Sequence, residues 1–310
     1  GIPELWGGDV LEVELGEFEV LNLETADGAF GADFTGTVVT SGKPVTVFSG
    51  NEASDVPFFD TLSERRCCAD HLEQQLYPAN TSGRTYIVPH SPDRTPAVAA
   101  AGGEVSVIDE VEWFRIMALY DGTTIRTTLP APDDVFLADR GEAITLVSTT
   151  GFGVTADRPV TVGQFVASQE NIGIFCRYPD QDLPGGDPCF TLISPIEQWR
   201  DDYVFLTPSE YMFDFVTIAH REGTDLRLDG HPLPPTCETG TIVMGGEAYA
   251  VTDCQLSFPE VGATGGVSPG VQDDGVHEVS ADEPVGITVY GFDCRVSYGY
   301  AGGTDLQVIE

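Results

Sequence analysis

The sequence predicts an all-β protein of two tandem, diverged β-sandwich units, of jelly-roll or immunoglobulin-like type, with short helical connectors. Three observations lead there. Short alternating runs are punctuated by Gly, Pro, Asp and Asn, which is the pattern of strands and turns. An internal repeat has the length of a domain. Helical periodicity is confined to two short stretches.

The strand candidates come in order along the chain. LEVEL at 11–15 places Leu11, Val13 and Leu15 on one face, and GTVVT and PVTVFS follow before residue 50. Beyond them come YIVP, WFRIMALY, AITLVS, PVTVGQFVA, YVFLTP, FDFVTIA, TIVMG, AYAVT and PVGITVYGF, most of them bounded by turn residues. The first helix candidate is 61–77, where Thr61 and Glu64 read as a capping box and Cys68, Leu72 and Leu76 recur at helical spacing. The second is SPIEQWR at 194–200, with Ser194 as N-cap and Pro195 at the first helical position.

The repeat is carried by TSGKPVTVFSG, TADRPVTVGQF and SADEPVGITVY, three copies of a turn and a strand. In each, Pro44, Pro159 or Pro284 opens a β-branched run, a place where its missing N–H is tolerated. Upstream, WFRIMALYDGTTIRTTL at 113–129 parallels FDFVTIAHREGTDLRLDG at 213–230, and TYIVP ending at Pro89 parallels YVFLTP ending at Pro208. The expected organisation is therefore a set of N-terminal strands over 1–66 that packs on the rest, a first sandwich over 67–188 and a second over 189–310.

With 310 residues the chain is long enough to bury its own core. Its 50 acidic against 14 basic residues give a formal charge of -36, which repels phosphate backbones and anionic lipid and argues against nucleic acid as a partner. The acids are scattered among apolar runs, so they read as a solvated surface suited to salty surroundings or to calcium. No stretch approaches the ~20 apolar residues of a membrane span, so direct membrane insertion is not expected.

Seven cysteines, Cys67, Cys68, Cys176, Cys189, Cys237, Cys254 and Cys294, contain no CxxC pair, which favours disulfides over zinc. Cys176 and Cys189 bracket the turn-rich RYPDQDLPGGDP, and closing a loop of that size contributes roughly 3 kcal/mol. Cys237 and Cys254 flank a similar segment. Cys67 and Cys68 are adjacent and are each expected to seek a distant partner, with Cys294 available to one of them. The alternative is a set of buried thiols in a reducing compartment.

Catalytic signals are weak, and the chain is not expected to be an enzyme. Pairs of carboxylates arise by chance among 50 acids, and His71, His90, His220, His231 and His277 show no HExxH or HxH spacing. Asp180, Asp182 and Asp187 in DQDLPGGD form a cluster of hard oxygens beside glycines and are candidate calcium ligands, although the segment lacks the EF-hand pattern. No other cofactor is expected. Trp113 and Trp199 lie in apolar runs and read as core.

Several strings together resemble the N-terminal domain of the IgG Fc-binding protein family, found in an animal mucus glycoprotein and in bacterial surface proteins. They are CCADHLEQQLYP with GRTYIVP, YDGTTI, ADRPVTVGQFVASQ, GDPCFTLISPIEQWRDDYVFLTP, LRLDG, and GVHEVSADEPVGITVYGFD running into SYGYAGGTDL. The resemblance covers about residue 37 to the end. It implies a secreted or cell-surface, calcium-tolerant, disulfide-bonded β module that adheres to another macromolecule, a glycoprotein or glycan, or that builds a surface layer or filament from copies of itself through β edges. The immunoglobulin ligand is not carried over, because no residue-level binding motif is matched. A stand-alone, strongly acidic copy looks more like the bacterial branch.

Overall fold

Alternation along the chain becomes sheet wherever a second run lies within reach to pair with it. The computed structural model describes residues 4–25, 32–59, 61–175, 183–262 and 266–309. It is an all-β protein of several antiparallel sheets with one α-helix among the described residues.

A hairpin of β1 (Phe48–Ser54) and β2 (Asp70–Gln75) comes first. The first unit contains β3 (Thr85–Val88), α1 (Arg94–Ala100), β4 (Glu112–Ala118), β5 (Thr123–Thr127), β6 (Asp134–Leu137), β7 (Ala143–Ser148), β8 (Phe152–Ala156) and β9 (Val160–Val166). One sheet has the order β3-β8-β5-β6; the other pairs β7 with β4, β4 with β9 and β9 with β10 (Cys189–Leu192). Their facing sides interleave Tyr86, Ile125 and Val154 with Phe114, Ile116 and Val162, all essentially without solvent exposure. Phe114 and Phe152 meet edge to face across this core at 5.0 Å. β10 follows residue 188, yet it hydrogen-bonds to β9 of the first unit.

The second unit is formed by β11 (Arg200–Thr207), β12 (Phe213–Arg221), β13 (Leu226–Leu228), β14 (His231–Pro232), β15 (Glu238–Met244), β16 (Glu247–Gln255), β17 (Phe258–Val261), β18 (Val267–Val271), β19 (Gly275–Asp293) and β20 (Val296–Ala301). The long β19 serves both layers. Its first part pairs with β11 and β13, and its last part with β12 and β20. The sequence repeat is thus one topology used twice: β3, β4, β5, β8 and β9 correspond to β11, β12, β13 and the two halves of β19. A shared contact marks the equivalence. Tyr86 donates from its hydroxyl to the carbonyl of Val160 at 2.5 Å, and Tyr203 donates to that of Val285 at 2.6 Å, in each case the residue after the repeat proline.

The two units meet on the outer face of β12, β16 and β19. β12 is buried at every position from Phe213 to His220, because Val216 and Ile218 face the second core while Phe213, Phe215 and Ala219 face the first unit. This explains why FDFVTIA reads as a continuous apolar run. At the centre of the junction Arg94 donates to Glu110 at 2.9 Å and to the carbonyls of Ala167 and Gly185 at 2.7 and 2.8 Å. Beside it, burial opposes protonation of His90, but Glu112 and Asp93 outweigh burial and raise its pKa. Burial pushes Asp253 up to about 6, although Thr217 donates to it. Asp187, in the same region, is pushed up to about 7 by burial and then by Asp70.

Several expectations are corrected. LEVEL and GTVVT form no strand, and of PVTVFS only Phe48 and Ser49 enter β1, because no strand among the described residues pairs with the rest. The segment 61–77 is not helical: after a 3-10 turn at Leu62–Glu64, the chain turns at Cys67 and Cys68 and enters β2, with Leu72 buried against Val56 and Ala167. SPIEQWR forms only a 3-10 turn, Ile196–Gln198, and Ser194 donates to Thr304 instead of capping it. The helix that does form, α1, was not anticipated. Cys67 and Cys68 are bonded to each other, not to distant partners; a cis peptide between them brings their Cα atoms to 3.0 Å. The Cys237–Cys254 bridge is present, tying the chain ahead of β15 to β16. Cys176, and with it the expected Cys176–Cys189 bridge, lies outside the described residues; Cys189 is a buried thiol whose pKa burial pushes up to about 12.

Two predictions follow from the junction. Arg94→Ala strands the buried carboxylate of Glu110 and is expected to cost about 3–5 kcal/mol in urea unfolding, with part regained when Glu110→Gln is added; a loss below about 1 kcal/mol would show that the pair is dispensable. Asp187 and Asp253 bind protons more tightly folded than unfolded. The stability they contribute is therefore complete below the ordinary aspartate value of 3.8 and is lost as the pH rises through about 6 and 7. The melting temperature should fall between about pH 4.5 and 8, and Asp187→Asn should flatten that fall; an identical slope in the variant would assign the pH dependence to the surface charge.

Candidate functional site

β11 alternates as a half-buried strand must. Tyr203, Phe205 and Thr207 point into the second core, and Asp202, Val204 and Leu206 point out. Among the described residues β11 pairs only with β19, so it is an edge strand. Its outward apolar side chains are uncovered: Val204 is 67% exposed, and Leu206 lies opposite Val276, which is 74% exposed. With Pro208 these side chains floor an open groove of about 640 Å³.

Three tyrosines form the other wall. Tyr211 and Tyr298 meet edge to face at 4.7 Å, and Tyr298 and Tyr300 are stacked at 6.2 Å. Tyr298 is held from behind, donating at 2.6 Å to Asp214, a fully buried carboxyl that also accepts from Ser257 at 2.8 Å. Burial pushes Asp214 up to about 6, against the lowering effect of those two donors. Tyr300 reaches across to the β11 edge, where its hydroxyl accepts from the Leu206 N–H at 3.0 Å and donates to the Leu206 carbonyl at 2.5 Å. One pair of edge groups is thereby covered. The pair at Val204, two residues away, points to the same side and makes no hydrogen bond among the described residues. The arrangement offers a row of apolar side chains, flat aromatic faces and free strand-edge groups, which suits an extended ligand better than a reaction.

Of the expected calcium ligands, Asp180 and Asp182 lie outside the described residues. Asp187 is 3% exposed and turned inward; its backbone N–H donates to Ser297, and its Oδ1 is buried without a partner. Trp199 is buried, and Trp113 is partly buried against Val56, Leu72 and Ala167. Reading the sequence missed the groove. Val204, Leu206 and Val276 are ordinary strand residues, and only the pairing of β11 with β19 reveals that they share one bare face.

No helix among the described residues is long and apolar enough to cross a membrane. Comparison with curated proteins finds no significant match, and neither does comparison with solved structures. A family model described as IgGFc binding protein matches residues 3–291, a longer span than the strings noted in the sequence. Since that match covers nearly the whole chain, the protein belongs to the IgGFc binding protein family.

Proposed function

We propose that this chain is an extracellular protein-binding module that docks an extended, apolar segment of another protein, flanked by basic residues, on the β11 edge and its tyrosine wall. One observation carries the reading. In the first unit the outward residue of β3, Ile87, is 1% exposed because the second unit covers it with Trp199, Tyr249 and Val251. The equivalent residue of the second unit, one after the Tyr203 that matches Tyr86, is Val204, which is 67% exposed and which no described residue encloses. A face that is an interface in one copy is bare in the other.

Further features support it. The Cys237–Cys254 bridge fits an oxidising, extracellular setting. The formal charge of -36 favours basic flanks on the partner and speeds its encounter. The family description makes immunoglobulin Fc the first probe to try. A second reading, assembly of copies into a layer or filament, draws on residues 10–24. They alternate like a strand but have no strand partner among the described residues, and Phe18 in that stretch is 94% exposed.

The test is surface interferometry of the chain against immunoglobulin Fc, mucin, a glycan panel and the chain itself. Saturable binding to a protein is expected, weakened about tenfold or more by Val204→Lys and by Val276→Lys with no change in melting temperature. Binding that both variants leave intact would remove the groove from the reading. Binding to glycans alone would replace the partner class, and binding only to itself, abolished by Phe18→Asp, would favour assembly.

A further inference from the structure

At the far end of β11, two segments distant in sequence meet at one histidine. Asp229 is the first residue of the two-residue turn between β13 and β14, with φ 53° there and 74° at Gly230, the backbone that an Asp-Gly hairpin turn requires. Asp273 lies in the loop that leads into β19, and His277 lies on β19 itself. A ring nitrogen of His277 and one carboxylate oxygen from each aspartate lie within 4.8 Å of one another. The histidine is 3% exposed, while both aspartates reach solvent, so an ion has a route in.

We propose that Asp229, Asp273 and His277 form a binding site for a divalent transition-metal ion, with zinc as the best-fitting class. The contacts of His277 orient its ring within the group. Both ring nitrogens face oxygens: Nδ1 is 2.9 Å from Asp229 Oδ2, and Nε2 is 2.9 Å from the backbone carbonyl of Asp273 and 3.2 Å from the Thr207 hydroxyl. A neutral imidazole carries one N–H. When Nε2 donates to the carbonyl, the usual way in which a metal-bound histidine is oriented by its outer contacts, the Nδ1 lone pair is free to coordinate a cation together with Asp229 Oδ2. Glu278 donates its N–H to Asp229 Oδ1 at 2.8 Å and fixes that carboxylate, while Thr207 donates to the Asp273 carbonyl at 3.1 Å.

The donor set selects the ion. One imidazole nitrogen with two carboxylate oxygens suits zinc and its neighbours, whereas calcium takes six or more oxygens. Three protein ligands leave a fourth position for water or for a group brought by a partner. The site adjoins the groove, since Phe205 stacks on His277 at 5.2 Å and Val276 precedes it in β19. A bound ion therefore ties the β13–β14 turn and the loop before β19 to the groove wall. The site does not depend on what occupies the groove.

The experiment uses the full chain after dialysis against a chelator. Zinc is titrated by calorimetry with the melting temperature followed in parallel, and cobalt(II) serves as a visible-absorption probe of its ligands. Asp273→Asn is the variant of choice, because that side chain is exposed and the backbone carbonyl that holds His277 remains. One zinc ion per chain is expected, above the weak diffuse binding of an acidic surface, with a raised melting temperature and a cobalt spectrum typical of low coordination number. Asp273→Asn should weaken zinc about tenfold or more and abolish the cobalt bands. Unchanged zinc affinity in Asp273→Asn, displacement of zinc by an equal concentration of calcium, or no stoichiometric binding in the unaltered chain would each overturn the assignment.

Discussion

The guanidinium of Arg94 is the charge around which the two units of this protein meet. It reaches Glu110, the end of β9 through Ala167, and the approach to β10 through Gly185, so one side chain fastens α1 and three loops into the junction. Taking such a charge out of water is costly unless it is paired and hydrogen-bonded, and here a carboxylate answers Nε and two backbone carbonyls answer Nη1. The consequences spread outward. With α1 and the loops held, Val98, Ile172 and Ile174 pack beneath Phe213, Phe215 and Phe292, and the sheet of β12, β16 and β19 is buried on both faces.

That double burial explains how the two copies of one topology came to differ. Both keep the tyrosine that donates to the carbonyl after the repeat proline, a contact that pins the first strand of each unit over its core. In the first copy the chain breaks between β8 and β9 around Pro159; in the second, β19 runs through Pro284 and belongs to both layers. The outer face of the first strand is enclosed in one copy and open in the other. A β edge left uncovered invites pairing, and the protein covers only part of it, with the Tyr300 hydroxyl on Leu206.

Electrostatics and the site are linked through the same layers. Asp214 stands under Tyr298 and holds the aromatic wall, while Asp187 and Asp253 sit in the junction, each with a raised pKa because burial outweighs its donors. A chain of formal charge -36 has ample surface acids. Of those it buries, Glu110 answers Arg94 and Asp214 accepts from Tyr298, and the half-buried Asp253 accepts from Thr217.

The amino-acid sequence alone determined the fold class, the repeat, the family and one bridge. Alternation of apolar residues and turn residues at fixed spacing are local properties, and Cys237 and Cys254 lie close enough along the chain for their pairing to be read locally. It misled where local pattern met no tertiary partner. LEVEL alternates but has no strand beside it among the described residues, and the helical spacing of Cys68, Leu72 and Leu76 gave way to the pairing of β2 with β1. The groove and the Asp229–Asp273–His277 cluster were decided only in three dimensions. A bare face is defined by what fails to cover it, and although Asp273 and His277 are neighbours in sequence, Asp229 reaches them only through the pairing of β13 with β19, because antiparallel pairing joins residues by register and not by distance in sequence.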